Sequence, residues 1–85
     1  MSTCPKVKSV TPLPGKRLLI TFVTEERRIY DCTPLLDEAP FSPLRDEAFF
    51  RQVREDAAGY GVAWSDTVDL SESELWLHGT TETSS

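Results

Sequence analysis

The sequence predicts an α+β domain: an antiparallel sheet of about four to five short strands, one main amphipathic covering helix and a short C-terminal helix. Three observations lead there. Apolar runs that alternate between two faces recur between turn residues, most clearly in Leu18-Leu19-Ile20-Thr21-Phe22. Phe49, Phe50 and Val53 follow at helical spacing behind a capping aspartate, Asp46. With 85 residues the chain supports one core, since a domain of this size hides only about 60–65% of the surface its unfolded chain exposes.

Residues 6–13 carry Val7, Val10 and Leu13 and run into Pro12-Leu13-Pro14-Gly15, which reads as an edge strand entering a turn. Residues 16–23 are apolar on both faces, which suits a strand near the middle of the sheet. After Thr24-Glu25-Glu26, residues 27–32 with Ile29 and Tyr30 complete a β-hairpin whose turn lacks Asn-Gly or Asp-Gly. Thr33-Pro34 reads as an N-cap followed by proline at the first helical position, giving a short helical turn that Pro40 ends.

The main helix starts at Ser42-Pro43 or at the Asp46 cap and runs to about Glu55. It buries Leu44, Phe49, Phe50 and Val53 and sets Glu47, Arg51 and Glu55 at i, i+4 spacing outside. Ala57-Ala58-Gly59 turns the chain into residues 60–64, where Tyr60, Val62 and Trp64 share a face and Trp64 enters the core. Ser65-Asp66-Thr67 turns it back into residues 68–70. Ser71-Glu72-Ser73-Glu74 has the form of a capping box, in which the Ser71 hydroxyl and the Glu74 carboxylate satisfy each other's backbone amides. Leu70 and Leu75 supply the accompanying hydrophobic staple, and Gly79 stops a helix that begins at Glu72. The predicted domain spans residues 5–79, and residues 80–85 form a disordered polar tail.

This order of residues resembles a small bacterial family catalogued as domain of unknown function 2442, over almost the whole chain. The likeness lies in Val7, Val10 and Leu13-Pro14, in Leu18, Ile20 and Phe22, and in Asp31-Cys32-Thr33-Pro34-Leu35-Leu36. It continues through Phe41, Leu44-Arg45-Asp46, Phe49 and Val53 to Trp64-Ser65-Asp66-Thr67-Val68-Asp69-Leu70 and Leu75-Trp76. Members usually place glycine where this chain has Glu25 and Thr67, and the first departure argues against a tight turn with positive φ. The resemblance implies an α+β domain with no established activity. Some relatives are fused to a helix-turn-helix and others look like companions of small toxin-like proteins, so it also implies a binding role. Direct DNA reading is not carried over.

Net charge narrows the classes further. The chain is −5 overall, with residues 1–30 holding six basic and two acidic side chains (+4) and residues 31–85 three basic and twelve acidic ones (−9). The acidic balance argues against a general nucleic-acid binder. No apolar run approaches the ~18 residues of a membrane span, and no signal-peptide pattern opens the chain, so a cytoplasmic protein is expected. Cys4 and Cys32 have neither CxxC spacing nor a histidine pair, and a disulfide between them is open, with free thiols the expectation in a reducing compartment.

The candidate residues are then weighed. Asp66, Asp69, Glu72 and Glu74 are dense in carboxylates but lack the calcium-loop spacing. A turn role suits Asp66, a bond to backbone amides Asp69, and a cap Glu74. His78, the only histidine, suits the C-terminal end of a helix dipole. The expectation is no enzyme, no cofactor and no metal. The leading reading is a protein-interaction module, an accessory or antitoxin-like partner of a small basic protein. Partner contact is assigned to Trp76, Leu77 and Glu72 on the terminal helix and to Arg27 and Arg28 on the hairpin. Alternatives are a nucleic-acid regulator using Lys6, Lys8, Lys16, Arg17, Arg27 and Arg28, and a metal protein around Asp66, Asp69 and His78. A homodimer through a sheet edge or Trp76 is a further possibility.

Overall fold

Three strands, β1 (Val7–Leu13), β2 (Arg17–Phe22) and β3 (Arg27–Asp31), open the chain as an antiparallel meander. The structure is a computed structural model and describes residues 5–81; Cys4 and residues 82–85 lie outside the described part. β2 is central, as its two-sided pattern predicts: Leu18, Ile20 and Phe22 are fully buried, and Leu19 and Thr21 are half-buried on the other face. β1 is an edge strand, with a bulge between Val7 and Ser9.

The β2–β3 turn corrects one expectation. Glu25 N–H donates to the Phe22 carbonyl and Phe22 N–H to the Glu26 carbonyl, both at 2.9 Å, the pattern of a three-residue loop with a left-handed third residue. Glu25 takes that place with φ 73°. The turn is tight despite the side chain, and the Lys8 ammonium sits 2.8 Å from the Glu25 carboxylate.

Two 3₁₀ segments follow, Thr33–Asp37 and Ala39–Arg45, and then α1 (Glu47–Phe50). Cys32 rather than Thr33 occupies the first N-cap, and the Thr33 N–H donates to the Asp31 carboxylate at 2.9 Å. Asp46 does cap α1, accepting from the Ala48 N–H at 3.0 Å. The main covering helix, however, is four residues long instead of running to Glu55. Its last carbonyl, that of Phe50, accepts the Trp64 indole N–H at 2.8 Å. Beyond it Arg54–Glu55 extend as β4, pairing with Ala63 and Val62. The helix thus closes in a short turn, with Gln52 N–H on the Phe49 carbonyl and Val53 N–H sharing the Phe50 carbonyl with the indole, before the β4 ladder begins.

β5 (Gly61–Ser65) and β6 (Val68–Ser71) complete a second sheet. The α+β class and the antiparallel pairing hold, but the strands divide into two sheets, ordered β1-β2-β3-β7 and β4-β5-β6, where β7 is Thr80–Thr81. The reason is the shortness of α1: one turn of helix cannot cover a sheet face, so the second sheet covers the first. Val7, Leu18, Ile20, Phe22, Tyr30 and Cys32 from one side meet Val62, Trp64, Val68 and Leu70 from the other, with Leu44, Phe50 and Leu75 between. Tyr60 does not share the Val62–Trp64 face. Gly61, at φ 149°, breaks the alternation, and Tyr60 is 58% exposed with the Lys6 ammonium 3.8 Å from its ring centre. A Cβ on Gly61 would stand 2.1 Å from the Leu70 carbonyl oxygen, so only glycine fits there.

α2 (Glu72–His78) packs against β3, β5 and β6. Leu70 and Leu75 are both in the core, as the staple requires. Thr80–Thr81, where the sequence places the start of the tail, pair with Ile29 and Arg28 of β3. No helix among the described residues is long and apolar enough to cross a membrane.

Two measurements probe these features. Replacing Trp64 with Phe removes the short indole bond to the Phe50 carbonyl and leaves it the longer 3.4 Å bond from the Val53 N–H. The loss should be that of one hydrogen bond, about 0.5–1.5 kcal/mol, of a total that length places at roughly 4–13 kcal/mol. The urea midpoint should fall with the slope unchanged. Glu25→Gly relieves the left-handed side chain and should raise the thermal midpoint by a few degrees; a lower midpoint would show that the Lys8 contact outweighs the conformational cost.

Candidate functional site

Alternation along β3 turns Arg28 and Tyr30 to the same side, opposite Ile20 and Leu18 of β2. Both side chains reach α2. Arg28 donates through Nη1 to the Trp76 carbonyl at 2.7 Å, holds the Glu26 carboxylate at 2.8 Å and stacks 3.8 Å from the centre of the Trp76 ring. Trp76 also meets Phe22 edge-on, with ring centres 5.1 Å apart. The Tyr30 hydroxyl donates to Glu74 Oε2 at 2.8 Å, and His78 Nε2 lies 3.9 Å from Glu74 Oε1.

Glu74 therefore stands at a junction, and only half of the expected capping box forms. Ser71 Oγ accepts the Glu74 N–H at 3.2 Å, but the Glu74 carboxylate turns to Tyr30 and His78 rather than to the Ser71 amide. The phenol is the better donor and offers a part-buried partner.

Two hollows flank this junction. One, of about 590 Å³, is bounded by Arg17, Ile29, Tyr30, Asp31, Leu35 and His78. The other, of about 380 Å³, lies between β6 and the 3₁₀ segments and is lined by Leu35, Glu38, Phe41, Asp69, Leu70 and Ser71. Glu74 and Leu35 border both. A larger groove of about 870 Å³ opens where β1 meets β4, with Lys6, Lys8 and Arg54 facing Glu55, Asp56 and Asp66.

The local electrostatics favour neutral interior groups. Burial pushes the Tyr30 hydroxyl well above its ordinary range, and the hydrogen bond to Glu74 and that residue's charge push the same way. A phenol held protonated is a hydrogen-bond donor and not a base. Burial also pushes the Cys32 thiol up to about 12, with the Asp31 charge adding to it; the thiol is free and fully buried. Asp31 is held below the usual carboxylate range by hydrogen bonds from Thr33 and by the Arg17 charge.

Of the residues assigned to partner contact, Arg28 and Trp76 are bound to one another inside the fold, the Arg28 side chain being 19% exposed. Leu77 is 68% exposed. Glu72 is half-buried, with Oε2 closed off from solvent and without a hydrogen-bond partner. Arg27 is exposed on β3 opposite Thr21. The basic residues do not collect on one face: Lys16 reaches Glu47 from the β1–β2 turn, Lys8 reaches Glu25 at the other end of the meander, and Arg28 turns inward. Asp66 and Asp69 border the β1–β4 groove while His78 borders the Tyr30 hollow. Among the described residues no three His, Cys, Asp or Glu side chains gather to hold a metal. Asp69, expected to bind backbone amides, points to solvent. Sequence reasoning missed Tyr30, Leu35, Glu38 and Phe41; the spacing of Arg28 and Tyr30 on one strand face was the available signal.

The two small sheets, the shared core and the sealing helix α2 define a compact α+β domain with open grooves on its surface. The chain belongs to the family described as protein of unknown function (DUF2442), which it matches over residues 7–81. A search of curated proteins finds no match, and neither does a search of solved structures.

The two raised groups make stability pH-dependent in a defined direction. Each is kept protonated by the fold, so its contribution is complete below the unfolded value and is lost as the unfolded chain releases protons that the folded chain retains. Stability should therefore decline from about pH 9, where unfolded thiols ionise, and more steeply above pH 10, where tyrosine does. Urea midpoints across alkaline pH check this, and Tyr30→Phe should flatten the part above pH 10.

Proposed function

We propose that this domain is a non-enzymatic protein-interaction module of the cytoplasm, an accessory or antitoxin-like partner of a small basic protein. The observation that carries the reading is a surplus of carboxylates over cations in residues 31–85. Lys8, Lys16, Arg28 and Arg45 are engaged with carboxylates of the same chain; Lys6 lies on the Tyr60 ring and Arg17 on a backbone carbonyl, and in residues 31–85 Arg51 and Arg54 are the cations in no ion pair among the described residues. Among the described residues, the carboxylates of Glu38, Glu55, Asp66 and Asp69 stand in no ion pair or side-chain hydrogen bond. The surplus belongs to residues 31–85, with twelve acidic side chains against three basic ones, and unspent carboxylates favour association with a cationic surface.

Leu77 adds to this. It is exposed three residues after Glu74 on α2, and residues at that spacing are neighbours on a helix surface. An apolar side chain beside an acidic one suits a partner that offers both. Dispersal of the basic residues gives nucleic acid no comparable face. Purification from the native host at physiological salt, with neighbouring genes expressed, is the direct test. The domain should elute with a basic protein and release it as salt is raised; elution alone in repeated preparations would overturn the reading.

A further inference from the structure

Among the described residues β6 is an edge strand, paired with β5 on one side. Glu72 N–H donates to the Tyr60 carbonyl, and Val62 stands opposite Leu70. The alternation of an antiparallel ladder then directs the N–H and C=O of Asp69 and the N–H of Ser71 to the outer edge. The other edges are protected. β1 carries Pro12 and a bulge and packs beside β4, while β4 and β7 are two residues each. Beside β6 lies an open hollow of about 380 Å³, whose far wall is Leu35, Glu38 and Phe41.

The chemistry of that hollow is two-sided. Val68 and Leu70 face the core side of β6, and the hollow continues that side with Leu35 and Phe41. Asp69 and Ser71 face outward. Glu38 and Asp69 supply negative charge, Glu74 borders the same space, and no lysine or arginine is among its lining residues. An extended segment laid against β6 would present alternate side chains to these two sides.

The geometry points to β6 as the strand to which a partner adds: an extended peptide segment with alternating basic and β-branched residues docks antiparallel or parallel to Val68–Ser71. Its main chain bonds to Asp69 and Ser71, its cations face Asp69 and Glu38, and its apolar side chains meet Leu35, Phe41 and Leu70. This rests on the protein-interaction reading and names the surface through which it works.

A ¹H–¹⁵N NMR titration of the full chain with the peptide acetyl-Lys-Val-Arg-Val-Lys-amide tests it. Shifts should concentrate at Asp69, Ser71, Leu35 and Phe41, and exchange of the Asp69 and Ser71 amides should slow. A version with proline at the centre, and one with glutamate in place of the basic residues, should leave the spectrum unchanged. Glu38→Lys and Asp69→Lys alter exposed side chains, so both should fold, and each should weaken binding by about tenfold or more through like-charge contact. No shifts at millimolar peptide, or shifts confined to the β1–β4 groove or to Leu77, would overturn the proposal. The two readings fail separately. A native partner retained equally by the unaltered chain and by Asp69→Lys would refute the β6 site and leave the interaction module standing, whereas absence of any native partner would count against the module itself.

Discussion

The fold depends on the grip that β3 takes on the last helix. Arg28 and Tyr30, two residues apart on one face of the strand, bind the Trp76 carbonyl and the Glu74 carboxylate, and the backbone of β3 goes on to pair with Thr80–Thr81. Leu75 is carried into the middle of the core by this attachment. The guanidinium is satisfied from three directions at once, by a carbonyl, a carboxylate and an aromatic face. A half-buried charge with that many partners is fixed in position, and loss of either Glu26 or the Trp76 carbonyl would leave it underpaired.

Everything else is arranged around the space that this grip closes. Neither sheet has enough strand length to bury its own apolar face, and α1 is one turn. Each sheet therefore acts as the other's cover, with the Trp64 indole spanning from the second sheet to the end of α1. Where β1 runs beside β4 an open groove remains, and the surface chemistry lies in side chains that the interior did not use.

Much of this was legible in the sequence where the determinant is local. The two-sided β2, the edge position of β1, the Asp46 cap, the Leu70–Leu75 staple and the stop at Gly79 follow from residues within a few positions of one another. What was not legible depends on distant competition. Glu74 has the right spacing to cap Ser71, yet a tyrosine 44 residues away takes its carboxylate. The periodicity after Asp46 continues to Val53, yet an indole from β5 and a ladder to Ala63 end the helix at Phe50. Arg28 and Trp76 each look like surface residues until a strand and a helix are set face to face. The left-handed Glu25 shows the converse, a local preference overruled by the register of the hairpin it joins.

The bonds that secure α2 join residues 44 and 48 positions apart, and one that secures β7 behind it joins residues 51 apart. Such contacts come late in folding, because closing so long a loop costs entropy before any contact repays it, whereas the β1–β2–β3 meander is built from neighbours. During synthesis the meander emerges first and waits, with Phe22 and Tyr30 uncovered, until the chain has been extended past Trp76. The interval before α2 arrives is then the period in which the nascent protein is most open to proteases and to association with other chains. A residue pair that looks like a simple structural clasp in the finished domain thus sets when, in the life of the molecule, its core first becomes inaccessible.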